Sequence, residues 1–312
     1  MRALIIGAAG FVGGHLMERL LLDGCQVAAS KLPGESIARA GVSVHDLDIL
    51  APEQIDGLLC ELQPDVIYHL AAQSSVAVSW KKPSLTADIN IKGTINVLEA
   101  VRAQRNPPKL LLIGSGEEYG RVRPEEVPIV EETLLRPGNV YAATKAAQGM
   151  LGSIYAEAYG LHAVMIRAFN HVGPGQRPGF VIPDFCRQIV QIERGEREPV
   201  IQVGNLAAKR DFTDVRDVVR AYSLLGTHGQ AGAVYNVGSG TAVAVHDILD
   251  KLLALAKVKI SVEVDKARFR PVDLPEIAAD NSRLTRETGW RPEIPLDVTL
   301  RDALDEWRNT KD

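Results

Sequence analysis

The first 13 residues constrain the fold most. Ala3-Leu4-Ile5-Ile6 is a short apolar run that passes directly into Gly7-Ala8-Ala9-Gly10-Phe11-Val12-Gly13. An apolar run of this length, ended by glycine, predicts a strand buried on both faces of a parallel sheet. The GxxGxxG spacing predicts a turn straight into a helix. Gly7 permits the tight turn, Gly10 lets backbone approach a pyrophosphate, and Gly13 lets the helix pack close against the strand. The helix should run to about Asp23, with Leu16, Leu20 and Leu21 inward and Gly24 closing it. Its N-terminus turns unpaired N–H groups and the positive end of a dipole toward the phosphates. A glycine pattern alone is weak, and its place between a strand and a helix is what points to dinucleotide binding.

The same alternation continues. Strands are predicted at Gln26–Ser30, Val42–Asp46, Asp65–Leu70, Lys109–Ile113 and His162–Phe169. Helices are predicted at Pro52–Leu62, Thr86–Arg105 and Val140–Tyr159. Alternating strands and helices make βαβ units, and right-handed crossovers leave a doubly wound α/β fold of Rossmann type as the main choice. After about Asn170 the texture changes: Gly173-Pro174-Gly175 and Arg177-Pro178-Gly179 interrupt shorter elements. A smaller C-terminal α/β lobe is expected there. Phe212–Leu225 reads as a helix and Val234–Val237 as a strand. The expected division is 1–169 for the dinucleotide-binding domain, with 212–238 returning to it, and 170–211 with 239–312 for the substrate lobe.

An acid near the end of the second strand would mark NAD by holding the ribose 2′-hydroxyl. The chain has Ser30-Lys31 there instead. Ser30 and Lys31 can hold a 2′-phosphate, with Arg39 a more distant candidate, so NADP(H) is favoured and NAD(H) remains possible. Asp48, followed by Ile49, comes after the third strand, where it can bind the adenine amino group or cap a short turn.

Tyr141 and Lys145 lie four residues apart in a stretch with few helix breakers, so they share a helix face. A free tyrosine is too weak an acid for proton exchange at neutral pH, and a nearby ammonium lowers its pKa. Such a pair is a candidate general acid/base for an alcohol or ketone. A surface tyrosine beside a solvated lysine is the competing reading, and the glycine loop weighs against it.

Composition narrows the class further. A net charge of −4 gives no sign of nucleic-acid binding. The opening residues do not read as a signal peptide, and no apolar run approaches the roughly 20 residues needed to span a bilayer. Cys25, Cys60 and Cys186 are scattered and odd in number, which suggests a reducing cytoplasm. The seven histidines show no ligand spacing, so no metal site is expected.

With the glycine loop and YxxxK both present, the chain resembles the extended short-chain dehydrogenase/reductase family. His69-Leu70-Ala71-Ala72 is similar to the family segment that lines the nicotinamide side. Asn90 resembles its structural asparagine, and Ser115 falls where the family places a catalytic Ser or Thr. Arg210-Asp211-Phe212 with Val215 and Asp217 resembles another family segment. Within the family, the segments 114–120, 167–176, 204–212 and 268–275 resemble the branch of GDP-mannose 4,6-dehydratases and GDP-4-keto-6-deoxy-mannose reductases.

The resemblance implies a reaction as well as a fold. Dehydratases of this branch resemble the reading Thr-Asp-Glu or Thr-Ser-Glu after the fifth strand. There the Glu removes the C5 proton and an acid beside it helps expel the C6 hydroxyl. This chain has Ser115-Gly116-Glu117, which lacks that second acid, and Glu117-Glu118 before Tyr119 looks like the reductase branch. The favoured expectation is reduction of the C4 ketone of GDP-4-keto-6-deoxy-D-mannose to GDP-D-rhamnose. Tyr141 would give the proton, Ser115 would hydrogen-bond the oxygen, and Lys145 would hold the nicotinamide ribose. A GDP-mannose 4,6-dehydratase with Glu117 as base is the alternative, and a 4-epimerase or talose-forming reductase comes after it.

For the substrate, Arg210 and Arg270 lie in segments resembling the family's diphosphate clamp, a role that suits the planar guanidinium fork. Asn170 resembles a diphosphate or sugar contact. Phe180 and Val181 are candidates for the base pocket and Asp273 for the nucleotide ribose, while His171 reads as a packed neighbour of that loop. The family also implies a homodimer formed through the helices at Thr86–Arg105 and Val140–Tyr159. A dinucleotide-binding sensor would be expected to lose the Tyr or the Lys, and both are kept.

Overall fold

The computed structural model describes residues 1–265, 267 and 276–310. Its centre is a seven-stranded, all-parallel sheet. The strands are β1 (Arg2–Ile6), β2 (Gln26–Lys31), β3 (Val42–Asp46), β4 (Val66–His69), β5 (Lys109–Ile113), β6 (Ala163–Ala168) and a late arrival at Val234–Val237. The first six stand in the order β3-β2-β1-β4-β5-β6, and the late strand adds beyond β6. The order therefore reverses between β1 and β4, and doubly wound sheets bind ligands outside the strand ends at such a point.

Alternate residues of each strand serve opposite faces. Ala3 and Ile5 pack with Leu16, Met17 and Leu20 of α1 (Phe11–Leu22). Leu4 and Ile6 pack with Ile55, Leu58 and Leu59 of α2 (Pro52–Leu62). Each such fully buried aliphatic side chain is worth roughly 1.5–3 kcal/mol of transfer free energy.

The predicted long helix at 86–105 is a composite. A short α3 (Val76–Lys81) and α4 (Pro83–Ala87) lead into a π-turn at Asp88–Lys92, and α5 (Gly93–Arg102) completes it. Asn90 sits in the π-turn. It accepts from the Gln73 backbone N–H at 2.8 Å and donates to Thr144 Oγ1 at 2.9 Å. Thr144 belongs to α6 (Val140–Tyr159), whose N-cap Asn139 accepts from the Ala142 N–H. The locally widened turn lets a buried amide fasten the loop after β4 to the helix that carries Tyr141 and Lys145.

Beyond residue 170 a second core forms. It gathers α7 (Val181–Glu193), β8 (Val200–Val203), β9 (Lys209–Asp214), α9 (Val245–Ala254) and α11 (Leu296–Asn309). The strand β7 (Asn170–Val172) pairs with β9, which also pairs with β11 (Ala242–Ala244). A separate parallel pair joins β8 to β12 (Ser261–Val264).

Two expectations need correction. Phe212–Leu225 is not one helix: residues 212–214 finish β9, and α8 (Val215–His228) starts only where Asp214 caps it by accepting from the Arg216 N–H at 2.7 Å. The return to the first sheet therefore begins at Val215, through α8 and β10 (Val234–Val237). The stretch after 239 also serves both cores. Leu284 of α10 (Ser282–Thr288) and Trp290 pack in the first, where the Trp290 indole donates to the Asp217 carbonyl at 2.9 Å.

Candidate active site

A cleft of about 1080 Å³ opens at the strand ends between the two cores. Its floor begins at the glycine loop. Gly7 has φ +84°, and a Cβ there would lie 2.6 Å from Ala71 backbone. A Cβ at Gly13 would lie 2.2 Å from the Ala8 carbonyl oxygen, whereas at Gly10 it would meet nothing within 4 Å. So Gly7 and Gly13 are forced by packing, and Gly10 faces open space where a phosphate can approach. No side chain caps α1, so its first N–H groups remain available to an anion. These features fit a dinucleotide.

Gly7, Gly10, Phe11, Val12, Gly13, Lys31, Asp48, Ile49, Leu70, Ala71 and Ala72 all line this cleft. Ser30 does not. It is buried, and its hydroxyl accepts from the Gly7 N–H at 3.3 Å, so it braces the loop from behind. Arg39 also stands apart, in an ion pair with Glu18 at 3.0 Å. The Asp48 carboxylate accepts from the Leu50 N–H at 2.9 Å, the turn-capping alternative, while the residue still borders the cleft.

Ser115, Glu117, Tyr141 and Lys145 meet at the middle of the cleft. Ser115 starts a short 3₁₀ turn, Gly116–Tyr119. Its hydroxyl accepts from the Glu117 N–H at 3.2 Å and is hydrogen-bonded to Tyr141. Lys145 is 4% exposed and donates to the Ile113 carbonyl at 2.6 Å and to Gln148 Oε1 at 2.8 Å. Burial brings its pKa down to about 8, against a smaller opposing pull from Glu118. The Tyr141 phenol is shifted as well. Burial pushes the phenol above its usual value, and the group that opposes this is the Ser115 hydroxyl.

The two glutamates have separated roles. Glu117 borders the cleft and accepts from Asn139 Nδ2 at 3.2 Å. Glu118 is buried beneath it, accepting from the Ser115 N–H at 2.7 Å and from Arg167 Nε at 3.1 Å. Burial lifts the Glu118 carboxyl to about 7, with Arg167 resisting. Between Ser115 and Glu117, a side chain at Gly116 would crowd Phe169: a Cβ would lie 3.1 Å from its ring, which would have to give way slightly.

The second core supplies the far wall. Asn170, Phe180, Val181 and Arg210 line it as expected. Arg270 and Asp273 lie outside the described residues. His171 does more than fill space, since it borders the cleft and stacks on Phe11 with ring centres 6.0 Å apart. Phe11 also meets His15 edge-on at 5.5 Å. Gln176, Arg177, Gln202 and Asn205 line the same wall and were not anticipated. Gln176 and Arg177 were detectable as polar residues in a Gly/Pro loop just past a strand. Gln202 lies on β8, a strand the sequence reading did not find. Among the described residues no cluster of His, Cys, Asp and Glu can hold a metal, and no helix is long and apolar enough to cross a membrane.

The family described as GDP-mannose 4,6 dehydratase matches residues 4–303. The chain is 36% identical over 308 residues to a GDP-6-deoxy-D-mannose reductase of Pseudomonas aeruginosa, covering 99% of this chain and 97% of that protein. Among solved structures, RMD from Pseudomonas aeruginosa complexed with NADPH superposes with a TM-score of 0.87 at 35% identity, covering 99% of both chains. UDP-glucose 4-epimerase of Thermus thermophilus, in complex with NAD, gives a TM-score of 0.89 at 30% identity, covering 100% of both chains.

Proposed function

We propose that this chain, which belongs to the GDP-mannose 4,6-dehydratase family of extended short-chain dehydrogenase/reductases, is the reductase that converts GDP-4-keto-6-deoxy-D-mannose to GDP-D-rhamnose. Membership makes it a nicotinamide-dependent oxidoreductase. The observation carrying the finer reading is Ser115, Tyr141 and Lys145 around one cleft, with glycine rather than an acid between Ser115 and Glu117. Similarity to a GDP-6-deoxy-D-mannose reductase supports the same reading.

When bound, the reduced nicotinamide supplies the hydride for C4. Tyr141 donates its phenolic proton to the C4 oxygen as the carbonyl becomes an alcohol. Burial keeps that phenol protonated at neutral pH, so the acid is ready before the ketone arrives. The Ser115 hydroxyl donates to the same oxygen, its own lone pair already engaged by the Glu117 N–H. Lys145 keeps one ammonium proton beyond its two protein acceptors for the cofactor ribose. The loop Gly7, Gly10, Phe11, Val12 and Gly13 holds the pyrophosphate, with Leu70, Ala71 and Ala72 on the nicotinamide side and Asp48 and Ile49 at the adenine.

The substrate diphosphate is met by Arg210, with Asn170 beside it and Phe180 and Val181 at the base; Arg270 and Asp273 complete that set. Residues 1–169 with 215–238 hold the cofactor, and the second core grips the sugar nucleotide. NADP(H) is the favoured cofactor, through Lys31. The enzyme works as a cytoplasmic homodimer through α6 and the helices at 86–105. Met150 and Ile154, four residues apart on α6 and 55% and 54% exposed, support that face.

Glu117 at the cleft favours a second reading, a GDP-mannose 4,6-dehydratase. One experiment separates them. The protein is incubated with GDP-mannose, and separately with GDP-4-keto-6-deoxy-mannose plus NADPH. NADPH absorbance should fall only with the keto sugar. Water loss from GDP-mannose with no net NADPH use overturns the reductase.

A further inference from the structure

Among the described residues, four cationic ones line the cleft: Lys31, Lys145, Arg177 and Arg210. Lys145 belongs to the reaction centre on α6, and Arg177 and Arg210 to the far wall. Lys31 is therefore the one cation, among the described residues, that borders the cleft at the end of β2, where this fold places the adenosine ribose. It does not act alone. Strand register sets Lys31 opposite Asp46 at the end of β3, and the two side chains form an ion pair. The Lys31 side chain is 16% exposed, whereas Asp46 is 58% exposed. A second carboxylate, Glu35, also borders this end of the cleft, where it accepts from the Leu32 N–H at 2.9 Å.

We infer that Asp46 sets cofactor choice by competing with a ribose 2′-phosphate for the Lys31 ammonium. The inference rests on the reading that Lys31 meets the ribose end of a bound dinucleotide. A phosphate monoester carries a charge of about −1.5 to −2 at neutral pH. To engage Lys31 it must loosen the pair with Asp46 and lie near a like charge. A 2′-hydroxyl has no such conflict, because a carboxylate accepts from it. The Lys31–Asp46 pair thus narrows, without reversing, the preference for NADP(H) that Lys31 alone would give.

The test is equilibrium titration of the full-length protein with NADPH and with NADH, read by quenching of protein fluorescence, without substrate. An exposed ion pair contributes about 0.2–1 kcal/mol. Asp46→Asn should accordingly tighten NADPH by up to about fivefold and leave NADH unchanged or weaker. The gain should shrink at high salt. Lys31→Ala should weaken NADPH and spare NADH. An unchanged NADPH-to-NADH ratio in Asp46→Asn and in Asp46→Ser, with Lys31→Ala still losing NADPH, overturns the inference alone. If Lys31→Ala also leaves NADPH binding intact, Lys31 does not hold the phosphate, and both the inference and its premise fail.

Discussion

Lys145 and Gln148 stand one turn apart on α6, joined by a 2.8 Å hydrogen bond from the ammonium to the side-chain amide oxygen. Gln148 is itself buried, and its Nε2 has no partner among the described residues. The amide therefore serves the charged form of Lys145 with its oxygen. Gln148→Leu removes that acceptor, and hydrogen bonds to charged groups are worth about 1.5–3 kcal/mol. The Lys145 pKa should drop below about 8, and NADPH affinity at neutral pH should fall about tenfold or more. Gln148→Glu should move the pKa the other way. The readout is the pH dependence of NADPH binding, and a profile that neither variant moves sinks the link.

Glu118 carries a pH signature in stability. Its folded pKa lies near 7 and its ordinary value is 4.5, so burial favours the protonated acid. Between these values the folded protein binds more protons than the unfolded one. Its contribution is full below pH 4.5 and is lost as pH rises through about 7. Glu118→Gln cannot titrate there. The variant should gain on the wild type by about 1–3 kcal/mol across that window. Urea unfolding at about pH 4.5, 6 and 7.5 checks this, and a constant difference between the two proteins contradicts it.

Asn90→Ala should cost stability and activity together. It leaves the Gln73 N–H without its acceptor and takes one donor from the Thr144 hydroxyl, a loss of about 1–3 kcal/mol for buried groups. Thr144 in turn donates to the Tyr141 carbonyl at 2.8 Å. Denaturant midpoints and kcat for ketone reduction should both fall. A variant with lowered stability and unchanged kcat separates Asn90 from the site.

Gly116→Asp places in this chain the acid that the dehydratase pattern carries. Its Cβ would press on the Phe169 ring, and overpacking of this kind costs about 1–3 kcal/mol. The expected protein is less stable, loses reductase activity and does not dehydrate GDP-mannose. Product analysis after incubation with GDP-mannose decides, and appearance of the 4-keto-6-deoxy sugar shows that Phe169 yields more easily than its packing implies.

The Rossmann half was legible because its signals are local. Ala3–Ile6 and Gly7–Gly13 report a buried strand, a turn and a helix start from adjacent residues. The second core was not, because short strands such as β8 and β12 hold few residues and become strands only by pairing with each other across the chain. Phe212–Asp214 misled for the same reason: their pairing with Asn170–Val172 overrides a pattern that otherwise continues into α8. At the site, residue types named Ser115, Tyr141 and Lys145 correctly for position. They did not reveal that Lys145 is buried against the Ile113 carbonyl, since that depends on how α6 packs on β5. Ser30 looked like a ligand because composition cannot say which way a strand-end side chain faces.

Phe11 belongs to the first turn of α1, the helix that the proposed function sets at the cofactor pyrophosphate. Its ring is gripped between His15 and His171, the latter on the strand that opens the substrate wall. One aromatic stack thus ties together the supports of two different ligands. Free-energy coupling between two binding events is reciprocal. Whatever gain in sugar-nucleotide affinity the bound dinucleotide transmits through this stack, the sugar nucleotide must return in equal measure.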